Sequence, residues 1–302
     1  MSKLIILVGL PGSGKTTYGR SLVKLFPDST VMYSSDSIRE ELYGDESIQG
    51  DSTKVFNLLR QRTIESLHRG KTVVYDATNV NRKNRKTIIQ AVKSKILVHD
   101  YTIECHIVWA PWEQCVERDA ARKRSVGKDV IMKFLRRWQT PYYDEGIDDI
   151  VVKFNCDVGW DRMDYVFGLK EAMDIDQENP HHTLKVLEHC EKTAQLAYDK
   201  DYDVVVTDAA KWHDVGKPLT KFFKKDESGN IIPHAHYYDH HCVGGYLVLG
   251  MYEGIMLSGL QVSYLITYHM DPFFNTKYWQ FDMPENMKTM IDQLHECDLR
   301  AH

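Results

Sequence analysis

Apolar and polar positions change rhythm about halfway along the chain. Up to about residue 155, short apolar runs alternate with stretches of helical spacing. "KLIILVG", "STVMYSS", "KTVVYDAT", "YTIECHIVWA" and "DDIVVKFN" read as strands. The first run is continuous, as expected of a strand covered on both faces. Helical spacing runs from about Lys15 to Leu25 and through "DSIREELYG" and "NRKNRKTIIQAVKS". It also fills "TKVFNLLRQRTIESLHRG", closed by Gly70, and "PWEQCVERDAARKR", opened by proline. Strands alternating with helices predict a parallel, doubly wound α/β sheet. Beyond residue 160 strand signals fade. "MDYVFGLKEAMD", "HTLKVLEHCEKTAQLAYD", "VVVTDAAKWHD", "DHHCVGGYLVLGMYEG", "LSGLQVSYLITYHM" and "MPENMKTMIDQLHECDLRAH" read as helices. The pattern predicts an α/β domain over 1–155, a linker over 156–176 and an all-α bundle over 177–302.

Composition changes this picture little. A length of 302 residues suits two domains, and 43% hydrophobic residues suffice for a core in each. A net charge of −5 argues against coating nucleic acid by bulk charge. It leaves room for a local basic groove, for which "NRKNRK" (81–86), "RKR" (122–124) and "LRR" (135–137) are candidates. The six cysteines form no CxxC pair and read as reduced thiols of a cytoplasmic protein. The N-terminal apolar run breaks at Gly9, and no later run approaches membrane-spanning length, so no membrane partner is expected. The histidines are uneven: His68, His99 and His106 precede residue 180 and eleven follow it. That asymmetry suggests a different chemistry in each half.

"GLPGSGKT", Gly9 to Thr16, fits the phosphate-loop pattern GxxxxGK[ST] between a strand and a helix. Its glycines let backbone N–H groups turn toward phosphate oxygens. Lys15 brings a point charge, Thr16 a hydroxyl for Mg²⁺, and the helix start a partial positive charge. Gly9, Pro11, Gly12, Ser13, Gly14, Lys15, Thr16 and Thr17 are thus the expected contacts for ATP or another NTP. In "SSDSIRE", Asp36 and Arg39 lie three residues apart on an opening helical turn. Asp36 can accept a hydroxyl proton while Arg39 holds an anionic acceptor, or Asp36 merely caps the helix. Asp76 ends a buried strand, where an acid near the metal is expected. Arg118 and Arg122, at i and i+4 in "ERDAARKR", suit charge stabilisation in phosphoryl transfer or form a solvated basic face.

With these segments in order, residues 1–155 resemble the kinase domain of phage-type polynucleotide 5′-kinases. The resemblance rests on "GLPGSGKT", "SSDSIRE", "DATNVNRKNR" and "RDAARKR". It implies Asp36 as general base on a 5′-hydroxyl, Arg39 as an acceptor-side contact and Arg122 as a lid arginine on the donor phosphates. Ser35 departs from the pattern, which has a basic residue there.

In the second half, His189, His213, His240, His269 and Asp298 follow one another at gaps of 24, 27, 29 and 29 residues. Each therefore falls on a different helix. Inward-pointing imidazoles and carboxylates from several helices are a way to build a divalent-metal site. The order H…HD…H…H…D resembles the HD-domain phosphohydrolases. The resemblance implies His189, His213, Asp214 and Asp298 around one metal, His240 and His269 around a second, and Asp214 able to bridge. It further implies hydrolysis by metal-activated water, with Lys217 meeting the phosphate. His241 stands where the family has an acid, so the ligand is either His240 or His241. His181 and His182 are either substrate contacts or helix-start residues. The ligand types do not choose among Mn, Fe, Ni, Co, Zn and Mg.

The two resemblances together imply RNA end healing. One domain phosphorylates a 5′-hydroxyl with ATP and Mg²⁺. The other uses one or two divalent transition metals to remove a 2′,3′-cyclic or terminal phosphate. Partners implied are RNA or DNA strand ends and an RNA ligase. The alternatives are a nucleoside or small-molecule kinase fused to an HD 5′-nucleotidase, or an ATP-gated HD regulatory protein.

Overall fold

A computed structural model describes residues 2–96, 101–179, 183–253, 256–274 and 283–301. The chain divides into two compact units. The first comprises Met1–Ile131 and Pro141–Cys156; the second comprises Met132–Thr140 and Asp157–His302.

The first unit is a five-stranded sheet of β1 (Ser2–Val8), β2 (Thr30–Ser34), β3 (Thr72–Asp76), β4 (Tyr101–Trp109) and β5 (Asp149–Phe154). Their order is β2-β3-β1-β4-β5, and every pairing is parallel. Leu4 to Val8 are all buried, because helices cover both faces of this central strand. The helices are α1 (Lys15–Leu25), α2 (Ser35–Tyr43), α3 (Ser52–His68), α4 (Arg82–Lys95) and α5 (Trp112–Ala120), followed by α6 (Lys128–Leu135), of which Met132–Leu135 belong to the second unit. From β1 the chain winds first toward β2 and then toward β4, so the strand order reverses beside β1. In such sheets ligands bind beyond the carboxyl ends of the strands at the reversal. The loop after β1 lies there.

Local caps set several helix starts. Ser34 accepts from Ser37 N to open α2, Asp51 from Thr53 N and Lys54 N to open α3, and Asn81 from Asn84 N to open α4. Each such cap stabilises by about 1 kcal/mol. Two of the four basic side chains at 81–86 are committed internally. Arg85 is fully buried, donates to Glu145 through Nε and Nη2 (2.8 and 2.5 Å), and gives Nη1 to Asn79 O. Arg82 pairs with Asp144 at 2.9 Å. These two arginines pin the loop before β5 to α4, which takes them out of any backbone-tracking patch, while Lys83 of the same run is exposed.

The second unit is mainly helical. Its elements are α7 (Arg162–Met173), α8 (Val186–Asp199), α9 (Val204–Trp212), α10 (Lys217–Thr220), α11 (His240–Leu249), α12 (Met256–Tyr268), α13 (Asp271–Phe274) and α14 (Glu285–Arg300). It also holds an antiparallel hairpin, β6 (Phe222–Lys225) with β7 (Ile231–His236), so it is not all-α as the pattern predicted. The hairpin's charged and largely exposed side chains hid it among loop signals. The 156–176 stretch, expected as a linker, carries α7.

Helix α11 is buried along almost its whole length and forms the centre of the unit. A Cβ on Gly245 would lie 2.1 Å from Thr267 Oγ1, so glycine is what lets α12 approach it. Thr140 Oγ1, Ser263 Oγ and Thr267 Oγ1 join in a buried hydroxyl network that also takes Trp138 Nε1. This close contact sets the start of α11 beside the end of α12.

Candidate active sites

In the first unit the phosphate loop follows β1 and opens α1. Gly12 and Gly14 hold φ of 86° and 92°, which side chains rarely adopt. A Cβ on Gly12 would sit 2.1 Å from Cys115 O, and one on Gly14 2.2 Å from Asn155 Nδ2. Asn155 in turn donates to Ser13 O at 2.8 Å. The loop is thus clamped from α5 and from the end of β5. Lys15 Nζ folds over the loop to Leu10 O at 2.8 Å. Thr16 Oγ1 donates to Asp76 Oδ2 at 2.8 Å, joining the helix start to the end of β3. Burial lowers Lys15 from its ordinary range, opposed by Asp76. Burial likewise raises Asp76, opposed by Lys15 and Thr16. A hydroxyl and a carboxylate so paired fit a Mg²⁺ bound beside phosphates.

Register carries the acceptor side to the same edge. Ser34 pairs with Asp76, and Asp76 with Leu7, so the ends of β2, β3 and β1 align. Asp36 follows two residues later, exposed, and accepts from the buried Arg39 at 3.1 Å. Ser34 caps α2, so the Asp36 carboxylate is spared that task. Arg118 donates to Gln114 Oε1 at 3.3 Å within α5. Arg122 does not share that helix face, because α5 ends at Ala120. Asp119 accepts from Ser125 Oγ, Val126 N and Gly127 N, turning 121–127 into a loop. Arg122 is an exposed loop residue, 4.0 Å from Asp119.

In the second unit five elements deliver one cluster. His189 lies within α8, His213 and Asp214 just after α9, His240 at the start of α11, His269 just after α12 and Asp298 near the end of α14. All six are buried. His189 Nε2 lies 2.8 Å and His213 Nε2 3.4 Å from Asp298 Oδ1. Asp214 turns Oδ2 toward this group, 3.4 Å from His213 Nε2, and Oδ1 toward His240 Nε2 at 3.2 Å. Two sets, His189–His213–Asp298 and Asp214–His240–His269, each place their donor atoms within 4.8 Å of one another.

The imidazole tautomers follow from the backbone. Nδ1 of His213, His240 and His269 lies 2.7–2.8 Å from the carbonyls of Ala210, Tyr237 and Ile266. Nδ1 of His189 faces Ala301 O at 3.4 Å. A carbonyl only accepts, so Nδ1 carries a proton and Nε2 is the atom turned inward. This is the outer support that metal-ligating histidines use. Burial opposes a charge on His213, but Cys190, Asp214 and Asp298 raise it well above its ordinary range, so its Nε2 holds a proton toward the carboxylates, a place that a divalent cation would take. His213 Nε2 and His240 Nε2 are buried yet lack a well-formed hydrogen bond. Burial alone would raise both carboxyls, but Lys217, His213 and His240 hold Asp214 far below the usual range, and His213 and His189 do the same for Asp298. Burial, with His240 and His213 nearby, keeps His269 neutral. Orphaned inward nitrogens beside ionised carboxylates fit a divalent cation.

Gly216 explains the turn after the His–Asp pair. A Cβ there would meet His240 O at 2.1 Å, so only glycine lets this turn abut α11. Lys217, also buried, is held by Asp214 Oδ2 at 2.6 Å and Gln177 Oε1 at 2.7 Å. His240, not His241, enters the cluster. His241 is kept neutral by burial, its pKa pushed down to about 3, and it lines the adjoining cavity. That cavity, about 630 Å³, is bounded by Asp214, Lys217, His240, His269, Asp298 and the rings of Tyr237, Tyr238 and Phe273.

Sequence reasoning missed Gln177, which sits at the expected linker boundary, and Cys190. The Cys190 thiol lies 3.7 Å from His213 Nδ1, and with His213 and Asp214 it forms a third group whose donor atoms lie within 4.8 Å of one another. No spacing signal marks either residue. His181 and His182 lie outside the described residues.

Residues 4–141 match the family model described as an AAA domain. Over 155 residues the chain is 26% identical to "Transcription factor bHLH140" of Arabidopsis thaliana, covering 49% of this chain and 15% of that protein. Over 180 residues it is 25% identical to "L-seryl-tRNA(Sec) kinase" of Methanococcus maripaludis, covering 58% of this chain and 66% of that one. The chain thus spans less than two thirds of either relative's length. Among solved structures, a chain of the "Pnkp1/Rnl/Hen1 complex" matches at 25% identity with a TM-score of 0.35, covering 42% of each chain. A putative kinase from Chloroflexus aurantiacus matches at 16% identity with a TM-score of 0.39, over 51% of this chain and 85% of its own. The parallel sheet, the phosphate loop and the Thr16–Asp76 pair fit an α/β P-loop kinase domain. Among the described residues no helix is long and apolar enough to cross a membrane.

Proposed function

We propose that the chain heals broken RNA ends, with an ATP-dependent 5′-kinase in the first unit and a metal-dependent phosphohydrolase in the second. In the kinase, Asp36 takes the proton of the attacking 5′-hydroxyl while Arg39 orients that carboxylate. The loop N–H groups and Lys15 hold the outer phosphates of ATP, and Arg118 and Arg122 add charge from the α5 side. Thr16 and Asp76 would hold Mg²⁺. The L-seryl-tRNA(Sec) kinase, by its name, phosphorylates an acceptor borne on RNA, which supports an RNA-linked hydroxyl here.

The observation that carries the second half is Asp214, with one oxygen facing each of two ligand sets. His189, His213 and Asp298 would hold one divalent metal, His240 and His269 another, and Asp214 both. When bound, such cations favour a deprotonated water nucleophile and neutralise charge on phosphate. Lys217, fixed by Gln177, keeps Asp214 ionised and aimed. The 630 Å³ cavity beside the cluster is large enough for a nucleotide end. The natural consumer of the products is a ligase, which needs a 5′-phosphate and a free 3′-hydroxyl.

The test is a 5′-hydroxyl RNA compared with free nucleosides as phosphoryl acceptor, and a 2′,3′-cyclic phosphate end as hydrolase substrate. The proposal expects transfer to the RNA and opening of the cyclic end. Transfer to nucleosides alone would sink it in favour of a nucleoside kinase.

A further inference from the structure

The turn after α5 is built around one carboxylate. Asp119 is buried, and its Oδ2 accepts three hydrogen bonds, from Ser125 Oγ at 2.6 Å and from Val126 N and Gly127 N at 3.0 Å each. Its Oδ1 is also buried and accepts none. The cation facing that oxygen is Arg122, whose Nη1 lies 4.0 Å away. Among the described residues the Arg122 guanidinium has no other ionic partner. Arg122 stands near enough to Lys15 for its charge to help lower the Lys15 pKa. Two residues on, Arg124 reaches Glu46, between α2 and α3, at 3.2 Å. The 121–127 loop is therefore tied at its root by Asp119 and to the segment after α2 by Arg124, with Arg122 near the phosphate loop between the two ties.

We propose that Asp119 is a positioning residue for the donor nucleotide: it holds the 121–127 loop and one arm of the Arg122 guanidinium, so that the other arm meets the outermost phosphate of the NTP. This rests on the reading of the first unit as a kinase in which Arg122 serves the donor. Each carboxylate oxygen has its own task. Oδ2 fixes the loop backbone through Val126 and Gly127. Oδ1 faces the guanidinium and orients it. A guanidinium is a planar fork of five N–H groups, so it can face a carboxylate on one side and a phosphate on another. A freely rotating arginine must be ordered when the nucleotide binds, whereas one already held loses less on binding. A buried acceptor without a hydrogen bond calls for a reason, and building the turn, which Oδ2 does alone, supplies none for Oδ1.

The test reads binding of ATP and of ADP, each with Mg²⁺, to the full chain by calorimetry, which needs no acceptor. The wild type should prefer ATP, and Arg122→Ala should cut that preference by about tenfold or more, the size of a lost charge-assisted hydrogen bond. Asp119→Asn keeps an oxygen for Ser125, Val126 and Gly127 but no charge for Arg122. It should cut the preference in the wild-type chain and change nothing further in Arg122→Ala, because Asp119 acts through Arg122. Ser125→Ala removes one tie and leaves both charges. It should give a smaller loss that also vanishes in Arg122→Ala, and it decides the matter if Asp119→Asn does not fold. Equal binding of ATP and ADP by the wild type, a full preference kept in Arg122→Ala or in Asp119→Asn, or losses that multiply in the double variants would each overturn the proposal. The kinase reading fails separately, if the wild type binds ATP but transfers phosphate to no hydroxyl acceptor, RNA or nucleoside. A wild type that binds neither nucleotide would overturn both.

Discussion

The two candidate sites are built in opposite ways. The phosphate loop uses consecutive residues, Gly9 to Thr16, and binds mainly through backbone groups that a strand–turn–helix exposes. The imidazole–carboxylate cluster gathers side chains from five separated elements and buries every one. A contiguous loop depends on few other elements, here α5 and the end of β5. A dispersed cluster depends on every helix that supplies a donor, and on the close packing at Gly216 and Gly245 that holds those helices together. Chemistry that needs N–H groups around phosphate is thus written in a few residues. Chemistry that needs inward lone pairs requires a whole unit.

That contrast can be broken one site at a time. The largest effect is expected from Asp36→Ala, which should lower phosphoryl transfer to a 5′-hydroxyl RNA by about 100- to 10,000-fold. ATP binding and cyclic-phosphate hydrolysis should persist. If transfer also persists, Asp36 is not the general base. Next, Asp214→Asn should depress hydrolysis by more than the roughly 10- to 100-fold typical of outer supporting residues, with 5′-phosphorylation nearly unchanged. Loss of both activities would mean that the two sites are not independent. Lys217→Met should fall within that 10- to 100-fold range for hydrolysis, because Lys217 acts through Asp214. The smallest effect is thermal. A transition metal at 100 times its dissociation constant should stabilise the second unit by about 2.7 kcal/mol, read by calorimetry, and Asp214→Asn should abolish the shift. A shift that survives in that variant would place the metal elsewhere.

The sequence displayed these regions unequally. The sheet was legible because Leu4–Val8, Val73–Tyr75 and Ile107–Ala110 are apolar runs, and each falls in or at the end of a buried parallel strand. The order of the His and Asp residues was legible too, although their convergence is a tertiary fact that spacing alone leaves open. The β6–β7 hairpin was not legible, since Lys224, Lys225 and Ile231–Pro233 are exposed and show no half-buried alternation. Nor was the path of residues 132–140, which fold with the second unit. A buried Trp138 announces a core but not which core: its ring packs on the distant Tyr246, and its Nε1 donates to Thr140, whose hydroxyl meets Ser263. Nor was the burial of Arg85 within the basic run at 81–86, since its partner Glu145 lies 60 residues away.

The central claim is that one chain repairs both sides of a break. The direct measurement is product analysis of an RNA bearing a 5′-hydroxyl and a 2′,3′-cyclic phosphate, incubated with ATP and a panel of divalent metals. The expected product is a strand with a 5′-phosphate and an opened or removed 3′-terminal phosphate, with Asp36→Ala and Asp214→Asn each blocking one change only. An RNA recovered with both ends unaltered under every metal would contradict it.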